Sequence, residues 1–310
     1  MRIGIVVATK NESHRKIAKN IARVTNAKIC RSYFCDADIL VGIDSTLQYL
    51  PYYIGAKLKN IATITFMYDI RSISHTYLTA LDAGRSPLEQ RLRRMFSLSL
   101  VKPLLDGVLS PTRAIAATIR EYTGVEPCVV YLGVDHAIYR PTQIKKVRGF
   151  KVILVVATKP HITKTAVAVF RRLKTRAKLF IRGPCPAGLN DVICLPKLPE
   201  ETLARLYASA DVLFYPSLHE GFGLVPLEAA ACGLPVIAFS EPAVMEVLGD
   251  AGLFVKPTSI TEVAEVVDWA LNNEELLKDL SVRGVRRARE FSWKRTAKMF
   301  YACVEKFVRL

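Results

Sequence analysis

The sequence predicts an α/β protein of two doubly wound domains. Three observations carry that expectation. At 310 residues the chain is long enough for two ordinary cores. Short β-branched runs alternate with helix-period segments along its whole length, the pattern of parallel sheets covered by helices. A polar, basic connector, Pro141 to Gly149, separates two such series. With 51% hydrophobic and 23% charged residues the chain is globular rather than disordered.

The first series opens with a strand at Ile3–Ala8 and a helix at Ser13–Val24. That helix sets Ile17, Ile21 and Val24 on one face and Arg15, Lys19 and Arg23, four residues apart, on the other. Strands follow at Ala27–Cys30, Asp38–Ile43 and Ile61–Phe66, the last after a helix around Leu47–Leu58. Residues 86–101 then place Leu88, Leu92, Met95 and Phe96 on one helical face beside Arg91, Arg93 and Arg94. A strand at Gly107–Leu109, a helix at Thr112–Tyr122 and a strand at Cys128–Tyr131 complete the series. The second series has strands at Val152–Ala157, Lys178–Ile181, Asp191–Leu195, Val212–Tyr215, Val236–Phe239 and Ala251–Val255. Lys164 opens the helix after the first of them, and Glu201–Ser209 is helical behind an acidic start. Helices at Ile260–Leu271 and Glu274–Arg289 and an amphipathic helix at Trp293–Leu310 close the chain.

The stretch from Ala210 to Ser240 is the centre of the functional reading. It is a buried strand, a Gly-bearing loop, a short helix and a second buried strand. Pro226 suits a first helical turn, where its missing N–H costs nothing. Gly233 and Pro235 end the helix. Gly221 and Gly223 leave backbone N–H groups and a helix N-terminus open to an anion such as a pyrophosphate. Glu220 lies before the helix and Glu228 within it, eight residues on. Carboxylates are poor phosphate ligands but good acceptors for hydroxyls of a sugar on one side and a ribose on the other. An ordinary strand–loop–helix with two solvated glutamates is the plainer alternative.

Composition narrows the classes. No apolar run approaches the roughly 20 residues that span a bilayer, and the N-terminus reads as a strand rather than a signal peptide. The seven cysteines form no C-x-x-C pair and the five histidines do not cluster with them, so no metal site is expected. Free thiols in a reducing cytoplasm are the expectation. The net charge is +16, concentrated in residues 1–31 and 85–120.

The string from His219 to Ile237 closely resembles the E-x7-E signature of retaining glycosyltransferase family 4, a GT-B family using nucleotide-sugar donors. Asp38 to Val41, Asp106 to Arg113, and Tyr131 to Asp135 followed by Tyr139, Arg140 and Pro141 resemble that family's N-terminal motifs. Ala251–Val255 resembles its G-A-G-L-L-V strand. The resemblance implies two Rossmann-like domains facing a cleft: residues 1–140 for the acceptor, 141–292 for the donor, and 293–310 crossing back to the first. It implies sugar transfer with retention and without metal or cofactor. In this reading Glu220 holds donor-sugar hydroxyls, Gly221, Phe222, Gly223 and Leu224 offer backbone N–H groups, and Glu228 binds the ribose. The family's G-R-x-x-x-x-K-G motif corresponds to Ala157–Thr165, with Lys164 as its Lys and Lys159 in place of its Arg, without the bidentate fork.

The N-terminal half departs from the pattern. Thr9 to Ser13 carries no Gly-Gly, and Tyr68-Asp69 replaces the family's H-D pair, with His75 nearby as a second acceptor-side candidate. These departures motivate alternatives: a GT-B scaffold without activity that binds a nucleotide sugar or a partner, or a sugar-phosphate synthase or epimerase. The basic stretches, residues 15–31 and 85–102, suggest an enzyme peripheral to an anionic membrane and acting on a lipid-linked acceptor. Solvated charge over core-facing apolar stripes is the alternative. No nucleic-acid module is present, so nucleic acid is not an expected partner.

Overall fold

The computed structural model describes residues 1–8, 12–30, 35–43, 49–67, 100–144, 149–186 and 188–308. The chain divides into two compact units, Met1–Gly133 with Ser292–Leu310, and Val134–Phe291. Each is a parallel six-stranded sheet with helices around it. The expected α/β, Rossmann-like class is what the chain adopts.

In the first unit the strands are β1 (Ile3–Val6), β2 (Lys28–Cys30), β3 (Ile39–Ile43), β4 (Ala62–Phe66), β5 (Gly107–Ser110) and β6 (Cys128–Val129), in the order β2-β1-β3-β4-β5-β6. Helices α1 (Glu12–Thr25), α2 (Leu50–Leu58) and α3 (Arg113–Thr123) connect them. The central strands β1 and β3 are buried along their whole length, as near-continuous apolar runs require when both faces are covered. The expected helix within 86–101 lies outside the described residues, apart from its last two positions.

The second unit contains β7 (Lys151–Val156), β8 (Ala177–Arg182), β9 (Val192–Leu195), β10 (Val212–Tyr215), β11 (Val236–Phe239) and β12 (Gly252–Val255). Its helices are α4 (Pro160–Phe170), α5 (Glu200–Ser209), α6 (Leu224–Ala231), α7 (Pro242–Leu248), α8 (Ile260–Leu271) and α9 (Glu274–Ala288). The sheet order is β9-β8-β7-β10-β11-β12. Helix α4 begins at Pro160, four residues before the expected start at Lys164. Proline costs nothing in a first turn, so the helix extends back to it.

One device recurs at the starts of three strands. Asp38, before β3, donates its N–H to the Arg2 carbonyl at 2.9 Å and accepts the Arg2 N–H on Oδ2 at 2.6 Å. Asp106, before β5, does the same with Thr63 at 2.7 and 2.6 Å. Asp211, before β10, does so with Val152 at 2.9 and 2.8 Å. Each aspartate thus closes the first, unpaired end of a parallel ladder with a charge-assisted bond and fixes its register.

The C-terminal helix α10 (Trp293–Val308) belongs to the first unit. The Tyr301 hydroxyl donates to the Thr25 carbonyl at 2.6 Å, and Cys303 is bonded to Cys128. The expectation of free thiols is corrected here. Three disulfides, Cys30–Cys35, Cys128–Cys303 and Cys185–Cys194, leave Cys232 as the free cysteine. Their partners are 5, 175 and 9 residues apart, so a search for C-x-x-C spacing passes over all three. With the thiols paired, cysteine usage no longer argues for a reducing compartment. No helix among the described residues is long and apolar enough to cross a membrane.

Two outcomes follow from these bonds. Thiol titration of the denatured protein should find one reactive cysteine before reduction and seven after it; seven before reduction would remove the disulfides from the fold. Asp211→Ala should lower unfolding free energy by about 1–3 kcal/mol, the cost of a buried N–H left unpaired. Asp211→Asn keeps an acceptor and should cost less, as denaturant unfolding would record.

Candidate functional site

In the second unit the strand order reverses between β7 and β10. Ligands of open α/β sheets bind outside the carboxyl ends of the strands at such a switch point. Two loops leave the sheet there. Ala157 to Lys159 follow β7 and lead into α4, and Pro216 to Gly223 follow β10 and lead into α6. The sequence-predicted donor residues divide between these loops and their helices, so the topology gathers them at one edge.

On the β7 side, Lys159 occupies the N-cap position of α4 with no side-chain capping bond and is half-buried. Lys164 is exposed in the second turn. Neither lysine forms an ion pair among the described residues. The loop is held from the β8 side by Gly183, whose φ is +129°. A Cβ there would lie 2.0 Å from the Ala157 carbonyl oxygen, so only glycine allows the two loops this approach.

On the β10 side, Glu220 is fixed through one oxygen. Its Oε1 accepts hydrogen bonds from the Tyr215 hydroxyl and Ser217 Oγ, each at 2.7 Å. Both donors are buried, Tyr215 at the end of β10 and Ser217 two residues on. No hydrogen bond within the described residues occupies Oε2. A carboxylate held this way has one oxygen committed to orientation and one left for an outside donor. Gly223 is the N-cap of α6 at φ +93°, with Val244 packed against it. Phe222 is wholly buried edge-on against Phe291 with ring centroids 5.8 Å apart, so its side chain anchors the loop and only its backbone can serve a ligand. Gly221 and Leu224 flank it and are also buried.

Glu228 is 5% exposed in the second turn of α6. Around it stands a group that sequence reasoning missed. Tyr139 and Tyr207 lie with ring centroids 6.2 Å apart. Burial, reinforced by the Glu228 charge, pushes both phenols upward, and the Arg182 charge opposes it. Burial first and the Glu228 charge second push the Cys232 thiol up to about 12. The Tyr207 hydroxyl and Arg182 Nε are buried without a hydrogen-bond partner among the described residues. These residues come from the 134–140 segment, the end of β8 and α5, and no local spacing in the sequence links them.

The acceptor-side candidates Tyr68, Asp69 and His75 lie outside the described residues. So does most of the loop after β1, Thr9 to Asn11. Among the described residues no cluster of three or more His, Cys, Asp or Glu could hold a metal ion.

Residues 187–287 match the family described as glycosyl transferases group 1. Over that stretch, about a third of its length, the chain is similar to the group 1 glycosyltransferases. The matched residues include β9 to β12 and therefore both glutamates. The MMP alpha-(1->4)-mannosyltransferase of Mycolicibacterium hassiacum is 34% identical over 200 residues, covering 58% of this chain and 48% of that protein. The D-inositol 3-phosphate glycosyltransferase of Segniliparus rotundus is 25% identical over 282 residues, covering 80% and 62%. The chain thus spans about half the length of the curated relatives it matches. Among solved structures, Anabaena HepE in complex with UDP-glucose superposes with a TM-score of 0.78 over 100% of both chains at 14% identity. WaaG, a glycosyltransferase involved in lipopolysaccharide biosynthesis, superposes with a TM-score of 0.69, also at 14% identity. At that identity the likeness is one of fold, an α/β chain of two Rossmann-like units.

The loop after β7 provides a test. Gly183→Ala should destabilise the protein by about 2 kcal/mol or more, through a strained φ and a backbone collision. Gly149→Ala, at φ +92° with nothing within 4 Å, should cost only the conformational share, about 1 kcal/mol. Equal costs in denaturant unfolding would show that the Ala157 contact is unimportant.

Proposed function

We propose that the chain transfers a sugar from a nucleoside-diphosphate sugar to an acceptor hydroxyl, with retention and without a metal ion. One observation carries the reading: a carboxylate immobilised through one oxygen, Glu220, lies on one of the two loops that flank a switch point, and two lysines without an ion pair among the described residues, Lys159 and Lys164, lie on the other loop and on the helix α4 that it leads into. The donor is an anion at its diphosphate and a polyol at its sugar and ribose. The lysines and the N-termini of α4 and α6 suit the first property, Glu220 and Glu228 the second. As the bond from the anomeric carbon to the diphosphate breaks, negative charge grows on the leaving oxygens. Fixed positive groups there lower the barrier more than they favour the ground state. The acceptor oxygen forms its bond to the anomeric carbon on the face the diphosphate leaves, and its proton passes to the departing phosphate oxygen. The product keeps the donor's anomeric configuration, which NMR of the product would establish.

The acceptor reading rests on charge. Arg15, Lys19 and Arg23 are exposed in a row along α1, and Lys294, Arg295 and Lys298 are exposed on α10, which packs beside it. Each basic residue near an anionic bilayer contributes about 1 kcal/mol, so this array supports a lipid-linked acceptor at a membrane surface. Flotation with anionic but not neutral vesicles, lost at moderate salt, is the expected result. Flotation indifferent to lipid charge would remove the membrane from the reading.

The donor site is tested by thermal shift with UDP-, GDP- and ADP-sugars. One nucleotide series should stabilise the wild type. Glu228→Ala should abolish that shift, and Lys164→Ala should weaken binding about 10- to 100-fold, the worth of a charge-assisted bond. Absence of any shift at millimolar donor would favour the inactive scaffold.

A further inference from the structure

The longest stretch of the chain without an acidic residue runs from His136 to Asn190, and it carries thirteen lysines and arginines. Lys159 and Lys164 belong to the carboxyl end of the second unit's sheet. A second group lies at the other end. Arg171, Arg172, Lys174 and Arg176 are exposed in the segment between α4 and β8, while Leu173 packs inward against the core. None of the four forms an ion pair among the described residues. Arg172 donates to the Ala168 carbonyl at 3.1 Å, and the other three side chains make no hydrogen bond within the described residues.

This segment is fixed to the last turns of α8. Asp268 accepts the Lys174 and Thr175 N–H groups, one on each carboxylate oxygen, at 2.7 and 3.0 Å. Asn272 Nδ2 donates to Thr175 Oγ1 at 2.8 Å. The residue after Asp268 is Trp269, which is 54% exposed. The other acids of α8, Glu262 and Glu265, are exposed on the turns before it. Asp268 is thus engaged with the loop backbone, and the four side-chain cations are left to the surface.

We propose that this face of the second unit, Trp269 with Arg171, Arg172, Lys174 and Arg176, docks on an anionic lipid bilayer. Cations without an ion pair on an exposed loop fit a surface of opposite charge. An exposed indole fits the headgroup layer, where its ring meets acyl chains and its N–H stays among polar groups. Single-stranded nucleic acid would need a run of aromatics for successive bases, and this face has one. The loops after β7 and β10 leave the opposite ends of the strands, about 20 Å away across the six residues of β8. Docked in this way, the unit keeps its proposed donor edge toward the water from which a nucleotide sugar arrives. The face is separate from the array on α1 and α10 and does not depend on it.

Trp269 itself reports the test, because the chain's other tryptophan, Trp293, is 5% exposed. Intrinsic fluorescence is followed as vesicles are added, either phosphatidylcholine alone or phosphatidylcholine mixed with phosphatidylglycerol, with brominated acyl chains as quencher. The anionic vesicles should quench the emission and shift it to the blue, the neutral ones should not, and moderate salt should reverse the effect. Trp269→Phe should remove the signal while flotation persists. Arg171→Gln with Arg172→Gln should weaken partition about 20- to 30-fold, at about 5-fold for each charge. Lysine at the three arginine positions should keep the response, which separates loss of charge from loss of folding. Quenching that is unchanged in the glutamine variant would overturn the proposal. Flotation without quenching of Trp269 would also overturn it and leave the α1 and α10 reading standing, whereas no association with anionic vesicles would overturn both. A Trp269 shift caused by an anionic polysaccharide or by raised protein concentration, with no response to vesicles, would assign the face to a glycan or a second copy instead.

Discussion

The bond between Asp211 and Val152 sets the geometry on which the second unit depends. β7 and β10 are neighbours in space but far apart in sequence, and the loops at their carboxyl ends carry Lys159 and Glu220. Asp211 locks the opposite ends of the same two strands through both its backbone N–H and its carboxylate. In a parallel ladder the register fixed at one end is transmitted along the strands. The separation of the lysine loop from the glutamate loop is thus determined at the floor of the sheet, away from any ligand. The same clamp on Asp38 and Asp106 orders the first unit.

Above that floor, rigidity is added where the proposed chemistry needs it. Glu220 gains hydrogen bonds from Tyr215, on the strand, and from Ser217, in the loop, so its orientation is inherited from the sheet. Gly183 lets the β8 loop press on Ala157 and restrains the approach to Lys159. Phe222 roots the intervening backbone in the core against Phe291. Preorganised groups of this kind need no rearrangement as charge develops, which is where catalytic benefit comes from.

Much of this was legible in the sequence because it is local. The twelve strands appear as short β-branched runs with turn residues between them, and the Glu220–Glu228 spacing lies within one strand–loop–helix unit. Helix α4 starts before Lys164 because Pro160 is the better first-turn residue. What could not be read is what the fold brings together across long intervals. Cys128 meets Cys303 only because α10 packs against β6. Tyr139 and Tyr207, from two separate segments, meet each other and the charge of Glu228.

These long-range contacts share a consequence for how the two glutamates differ. Glu228 is nearly closed to solvent and surrounded by phenols and a thiol that its charge helps to keep protonated. Glu220 has hydroxyl donors on one oxygen, from Tyr215 and Ser217. Two carboxylates eight residues apart thus stand in unlike surroundings, one poised by burial and the other by orientation. In the proposed function unlike surroundings suit unlike partners: a ribose that must be enclosed, and a sugar that must be held while its anomeric bond changes.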